Sequence, residues 1–266
     1  TNAQGEYEFT NLLPGTYTVA VEYPAGTDRV QTFPDSPEAT QAGFDIDFRF
    51  LAPALTPQQA QLFRDAAAIW ESIIVGDLSD MVSPDGFFVD DFLLDVYAIS
   101  IDGAGNTLGR ATPYFGSAPW YHEGTLLPLR GYVELDIADL DHPELFGTIL
   151  HEIGHALGLG VLWDANGLRV GAGTSDPRYI GAEALQQYVD IFNISASSIP
   201  LENVGGPGSV GSHWRETVFD NELMTSISDP NAMISLVTVG ALADLGYAVD
   251  YNQAQSYRPP RTNLPF

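Results

Sequence analysis

His151-Glu152-Ile153-Gly154-His155-Ala156-Leu157-Gly158-Leu159-Gly160 is the stretch on which the reading of this chain turns. It carries two imidazoles four residues apart, a carboxylate beside the first, and glycines directly after. On an α-helix, residues four apart share a face, about 6 Å from one another. Two neutral imidazoles on such a face can grip one zinc ion from the same side, and Glu152 then reaches a water on that ion. Upstream, Phe146, Ile149, Leu150 and Ile153 form an apolar stripe at helical spacing. Asp141-His142-Pro143-Glu144 reads as a capping box with proline inside the first turn. Gly158 and Gly160 are poor helix residues, so Gly158 is expected to break the helix. The competing explanation is a polar pair in an ordinary core helix, which would bury His, Glu and His at a high cost in lost hydration.

A catalytic zinc site takes a third protein ligand and keeps a fourth position for water. The compact continuation of the motif would place a histidine at position 161, where the chain has Val161. The other familiar arrangement takes a glutamate from a following helix, and Glu183 is the nearest to that spacing. Three histidines remain. His142 reads as a helix-start residue and His122, in Trp120-Tyr121-His122-Glu123, as a surface-loop residue. His213 lies in Gly211-Ser212-His213-Trp214-Arg215-Glu216, followed by Asn221-Glu222-Leu223-Met224-Thr225.

With these segments the chain resembles the leishmanolysin (M8) family of metzincins, in particular its bacterial members, over about residues 44–257. The resemblance implies an α+β fold: a metzincin-type zinc peptidase with a mixed twisted sheet, an active-site helix and a methionine turn, plus a small N-terminal β segment. It implies that residues 159–212 form an insertion, and that His151, His155 and His213 hold one Zn2+ ion. Glu152 is then the catalytic general base and Met224 the turn methionine. Met233 competes for that last role; the Glu-Leu-Met context after His213 favours Met224. Ala241-Leu242-Ala243-Asp244-Leu245-Gly246-Tyr247 looks like the family's closing helix. The eukaryotic members are disulfide-rich and use a propeptide cysteine as a latency switch. This chain has no cysteine, so any latency must work by other means.

Composition bounds the rest. At 266 residues the chain can bury one substantial core plus a small appendage. Its formal charge is −25 and all ten basic residues are arginines, a balance that repels nucleic-acid phosphates and anionic lipid headgroups. No apolar run approaches the length of a membrane span. No basic-plus-apolar leader is present, so a signal peptide, if one is used, is expected to be gone already. The expected setting is secreted or cell-surface and bacterial, with protein or peptide substrates and no nucleic-acid partner.

Three regions are expected. Residues 1–43 read as a partial β-module and linker: Tyr7 and Phe9, then Tyr17, Val19, Val21 and Tyr23, alternate around Leu13-Pro14-Gly15. This pattern resembles the last strands of Cna-B or carboxypeptidase-regulatory β-sandwich modules. Residues 44–160 form a metzincin N-terminal subdomain, with strands at 44–50, 92–101 and 131–136 and a helix opened by Thr56-Pro57-Gln58-Gln59. The strand at 131–136 is expected to be the sheet edge that lines the cleft. Residues 161–266 hold the insertion, the third ligand and the methionine turn, with a short helix through Ala182, Leu185, Tyr188, Val189 and Phe192.

The chemistry implied is peptide-bond hydrolysis by a zinc endopeptidase. Zinc on three neutral imidazoles can lower the pKa of bound water from roughly 16 to about 7, and Glu152 accepts that water's proton. An adhesion or binding module with a vestigial metal helix is the alternative from another class. Residues 1–43, with Asp28 or Asp35, are also placed to act as an inhibitory segment over the cleft. Ca2+ is a weaker second cation at Asp102-Gly103-Ala104-Gly105-Asn106 or at Asp136, Asp139 and Asp141; neither follows EF-hand spacing, and a solvated acidic turn explains them as well.

Overall fold

The computed structural model describes residues 43–51, 55–115 and 120–260. The strands and inhibitory segment expected within 1–42 lie outside the described residues. In chain order the first half holds β1 (Ile46–Phe50), α1 (Pro57–Ile73), a small hairpin of β2 (Met81–Val82) and β3 (Phe88–Val89), β4 (Phe92–Ile99), β5 (Gly109–Pro113), β6 (Arg130–Asp136) and α2 (Leu145–Ala156). The second half holds β7 (Arg169–Val170), β8 (Arg178–Tyr179), α3 (Ala182–Phe192), β9 (Ile199–Pro200), α4 (Glu216–Phe219) and α5 (Leu236–Leu245). This is an α+β architecture around a mixed four-stranded sheet of order β1-β4-β6-β5. β1, β4 and β6 run parallel, and β5 runs antiparallel to β6.

The sheet corrects the expected edge. The strand at 131–136 lies inside the sheet, between β4 and β5, and the terminal strand is β5. Gly109-Arg110-Ala111-Thr112-Pro113 lacks the β-branched and aromatic alternation that marks a strand, so its pairing comes from β6 and not from local propensity.

α1 and α2 cover one face of the sheet. Thr56 caps α1 as expected: its Oγ1 accepts from Gln59 N at 3.2 Å while Gln59 Oε1 accepts from Thr56 N at 2.9 Å. Phe63, Ala66, Ala67, Trp70, Ile73 and Ile74 are all buried, as the spacing required. Trp70 Nε1 donates to Leu150 O at 3.0 Å and so ties α1 to the motif helix.

α2 starts differently from the sequence reading. Its N-cap is Glu144, with no side-chain cap bond, and Pro143 precedes the helix. Glu144 N, the donor an Asp141 cap would serve, donates instead to His142 Nδ1 at 3.2 Å, while tight turns take up His142 N (to Asp139 O, 2.8 Å) and Leu145 N (to His142 O, 3.0 Å). Leu145 is buried in place of Phe146, which remains 36% exposed.

The second half packs around aromatics. Trp163, Tyr179, Trp214 and Phe219 are buried against one another, with ring centroids 4.9–5.6 Å apart. Asp244 on α5 accepts from Glu183 N and Ala184 N and so caps α3. The closing helix begins at Leu236, earlier than the expected Ala241, and ends at Gly246 in the left-handed region.

One end of the sheet gathers acid. Carboxylate oxygens of Asp45, Asp90 and Asp91 lie within 4.8 Å of one another. Burial, then the neighbouring carboxylates, push Asp90 up to about 7 and Asp91 up to about 6. A carboxyl whose folded pKa is raised holds its proton more tightly when folded. Its contribution is fully present below the ordinary carboxylate pKa and is lost as pH rises through about 6–7. Asp90→Asn is therefore expected to melt higher than the parent at pH 8 and to match it at pH 4; Tm across that range, as the difference between the two proteins, checks it.

Candidate metal centre

α2 presents His151 and His155 one turn apart on its cleft side, and His213 returns to meet them from the second half. His213 Nε2 lies 3.1 Å from His151 Nε2 and 3.0 Å from His155 Nε2. A tetrahedral ion with bonds of about 2.0–2.1 Å holds its ligand atoms about 3.3 Å apart, close to these separations.

The outer nitrogen of each ring is also engaged. His151 Nδ1 lies 2.7 Å from Leu223 O, His155 Nδ1 2.9 Å from Leu159 O, and His213 Nδ1 3.2 Å from Ser209 O. A carbonyl oxygen only accepts, so each Nδ1 carries the proton and each Nε2 is left as a bare lone pair. Three acceptors then face one another with no donor between them, an arrangement that repels until a cation sits at its centre. Burial pushes all three imidazoles below their ordinary pKa, His155 to about 3, with the neighbouring rings adding to the effect at His155 and His213. The neutral form is the one that ligates, so the donor set fits Zn2+.

Glu152 is buried at 6% exposure, and its Oε2 has no hydrogen-bond partner. Burial pushes its carboxyl up to about 8, a shift that an adjacent cation would oppose. Met224 is buried directly behind α2: a Cβ added at Gly154 would sit 2.9 Å from its sulfur. Met233 pairs by backbone with the same turn, donating to Asn221 O and accepting from Leu223 N.

The helix stops where expected, with Leu157 as C-cap and Gly158 at φ +109°. Tyr247 OH donates to the freed Leu157 carbonyl at 3.0 Å. Gly160 is tighter still. Its φ is +74°, and an added Cβ would meet the Ser212 carbonyl oxygen at 2.0 Å. This contact holds the helix exit against the residue before His213. Gly160→Ala is expected to cost about 3 kcal/mol or more through combined backbone strain and overlap, roughly 6–12 °C in Tm. It should also weaken zinc binding, because Ser212 must move; calorimetry and a zinc titration check both effects.

The other sequence candidates fall elsewhere. Glu183 is exposed at the start of α3, where its Oε2 accepts from Tyr251 OH, and it joins no metal-ligand cluster among the described residues. His142 Nδ1 accepts from Glu144 N. His122 is buried, not at the surface, with its ring nitrogens 3.1 Å from Ser79 O and 2.6 Å from Asp91 O. The proposed calcium turns are internally occupied: Asp136 accepts from the backbone N–H groups of Ile101, Asp102, Gly103 and Ala138, and Asp139 from Gly105 N. Those N–H groups occupy both oxygens of Asp136 but only Oδ1 of Asp139.

A cleft of about 780 Å³ runs over the site. The segment Asn106–Ala111, including the start of β5, forms one wall; α2 with the three histidines and Glu152 forms the floor; residues 206–213 and 223–232 close the far side. The sequence reading missed β5 as that wall, and it missed Glu222 and Glu202. Both carboxylates are buried at 1% exposure and saturated with backbone donors. The signal for Glu222 was present: an acid directly before Leu223-Met224, where the flanking side chains read as core.

The sequence profile described as leishmanolysin (Peptidase M8) matches residues 177–258. That interval contains His213, Glu222 and Met224 but not α2. A leishmanolysin homolog from Crithidia fasciculata is 32% identical over 125 residues, covering 42% of this chain and 18% of the relative. A leishmanolysin-like peptidase from Caenorhabditis briggsae is 39% identical over 56 residues, covering 21% of this chain and 8% of the relative. The chain thus spans less than a fifth of either relative's length over the matched region.

Proposed function

We propose that this chain is a zinc-dependent endopeptidase of the leishmanolysin type. The observation that carries the reading is the convergence of three Nδ1-protonated imidazoles, with His213 Nε2 3.0–3.1 Å from those of His155 and His151, beside a buried Glu152 whose Oε2 has no partner among the described residues. The leishmanolysin profile and the two relatives support the same class over the second half of the chain. His151, His155 and His213 hold the ion, which when bound supplies an acidified water and polarises the scissile carbonyl. Glu152 accepts the water's proton and delivers it to the leaving amine; its enclosed setting keeps bulk water from competing for that proton. Met224 fills the space behind Gly154 and gives the histidines an apolar base. The edge of β5, unpaired among the described residues, offers backbone N–H and C=O groups to an extended peptide laid along the cleft. Binding of this kind engages any sequence through its main chain, and side-chain preference then falls to residues such as Ile227, which is 60% exposed on the cleft wall.

No helix among the described residues is long and apolar enough to cross a membrane. We place the enzyme outside the cytoplasm, secreted or at a cell surface, and of bacterial type; the leishmanolysin likeness supports the secreted or surface setting, and the cysteine-free composition is compatible with it. The test is cleavage of casein by the purified chain, abolished by a chelator and restored by stoichiometric zinc. A chain that binds zinc and cleaves nothing would favour the vestigial binding module instead.

A further inference from the structure

The turn that carries Met224 is built around a carboxylate with no direct view of the cleft. Glu222 is 1% exposed and both its oxygens are taken. Oε2 accepts from Met224 N at 2.6 Å, and Oε1 accepts from Ser235 N at 3.1 Å, from Ser235 Oγ at 2.8 Å and from Thr238 Oγ1. Ser235 is the N-cap of α5, so the carboxylate also sits at the positive end of that helix.

Two lines run from Glu222 to the metal centre. The first passes through its own turn: the Leu223 carbonyl accepts from His151 Nδ1 at 2.7 Å and so fixes the plane of that ring. The second passes through α5. Thr238 Oγ1 donates to Glu222 and accepts from Trp214 Nε1 at 2.8 Å, and Trp214 N donates to Met224 O at 2.9 Å. Trp214 is thereby held at both its backbone and its ring, and His213 is the residue before it. One carboxylate thus sits behind two of the three imidazoles, which lie 62 residues apart in the chain.

We propose that Glu222 is a positioning residue of the metal centre, setting His151 through Leu223 and His213 through Trp214; the inference rests on the zinc reading above. A carboxylate is required because backbone N–H groups approach from both sides. An amide in its place would set an N–H against Met224 N in one orientation and against Ser235 N in the other. Thr238 must keep its hydroxyl, since only a group that donates and accepts can link Trp214 to Glu222.

The test uses the full chain as parent, Glu222→Gln, Thr238→Val and Thr238→Ser. Each is stripped of metal and titrated with zinc against a chromophoric chelator. The visible spectrum of the Co2+-loaded form reports ligand geometry, and Tm of the metal-free form reports fold stability. Glu222→Gln is expected to bind zinc about 10–100-fold more weakly, the usual cost of losing an outer partner of a metal ligand, with an altered Co2+ spectrum. Thr238→Val should lose about tenfold, because only the His213 line is cut, and Thr238→Ser should match the parent. Should Glu222→Gln fail to fold, Thr238→Val against Thr238→Ser decides. Parent-like zinc affinity and spectrum in Glu222→Gln and Thr238→Val, whatever their Tm, would show the carboxylate to be merely structural and overturn the inference. A parent chain that binds no zinc would instead sink the peptidase reading, and this one with it.

Discussion

Glu152→Gln leaves zinc in place and removes most of the activity. The substitution keeps the shape of the side chain and takes away its ability to accept a proton. A positioned general base contributes about 10²–10⁴-fold to the rate, so kcat/KM should fall by that factor while one zinc per chain is still bound. The three imidazoles keep their own carbonyl partners at Leu223, Leu159 and Ser209, none of which involves Glu152. The stability of the fold should not suffer, because the carboxylate being replaced is buried with one oxygen unpartnered. The measurements are metal analysis, peptide cleavage and Tm on the same preparation. Full activity in the variant would remove Glu152 from the mechanism; loss of zinc along with activity would make it part of the metal-holding set.

The local chemistry of α2 could be read from its letters because the helix period puts His151, Glu152 and His155 where one ion can use them. The Thr56 capping box and the buried stripe of α1 were legible for the same reason: both rest on contacts within a few residues. What failed were features decided by distant segments. One exception is local: Asp141 and Glu144 match a capping box in letters, yet Glu144 N is taken by the neighbouring His142 ring and Glu144 becomes the N-cap. β5 has no strand signature, because β6 imposes its pairing. His122 sits in a polar-looking loop and is drawn inside by the carbonyls of Ser79 and Asp91. His213 stood between these cases. No spacing rule connects it to His151, 62 residues away; only the resemblance singled it out, and the fold then brings the two rings together. Glu222 was quoted merely as a neighbour of Met224. Its four donors come from Met224, Ser235 and Thr238, a set that only the packing of α5 assembles.

His213→Ala should abolish both zinc binding and peptide cleavage, and its thermal behaviour should show why. Two imidazoles from one helical turn are left, and a two-ligand site holds zinc far less tightly than three. The loss should exceed the roughly 100-fold that removal of an outer-shell partner brings. In the parent, zinc at about a thousand times its Kd adds about 4 kcal/mol to the folded state, or roughly 8–16 °C in Tm, and a chelator takes that away. Once the ion is gone, the bare Nε2 of His213 again faces those of His151 and His155 at 3.0–3.1 Å, so the parent bears the cost of an uncompensated cluster. The variant has no such cluster: removing the His213 ring leaves His151 and His155 free of the lone pair that both of them confront. Its Tm should therefore be the same with and without chelator, and close to that of the stripped parent despite the lost packing of a ring that stacks on His151 with centroids 5.1 Å apart. Scanning calorimetry of both proteins, with zinc and with chelator, gives the four values needed. A variant whose Tm still drops on chelation by as much as the parent's would mean that the ion is held by other residues, and that the meeting of His213 with the motif helix has no part in binding it.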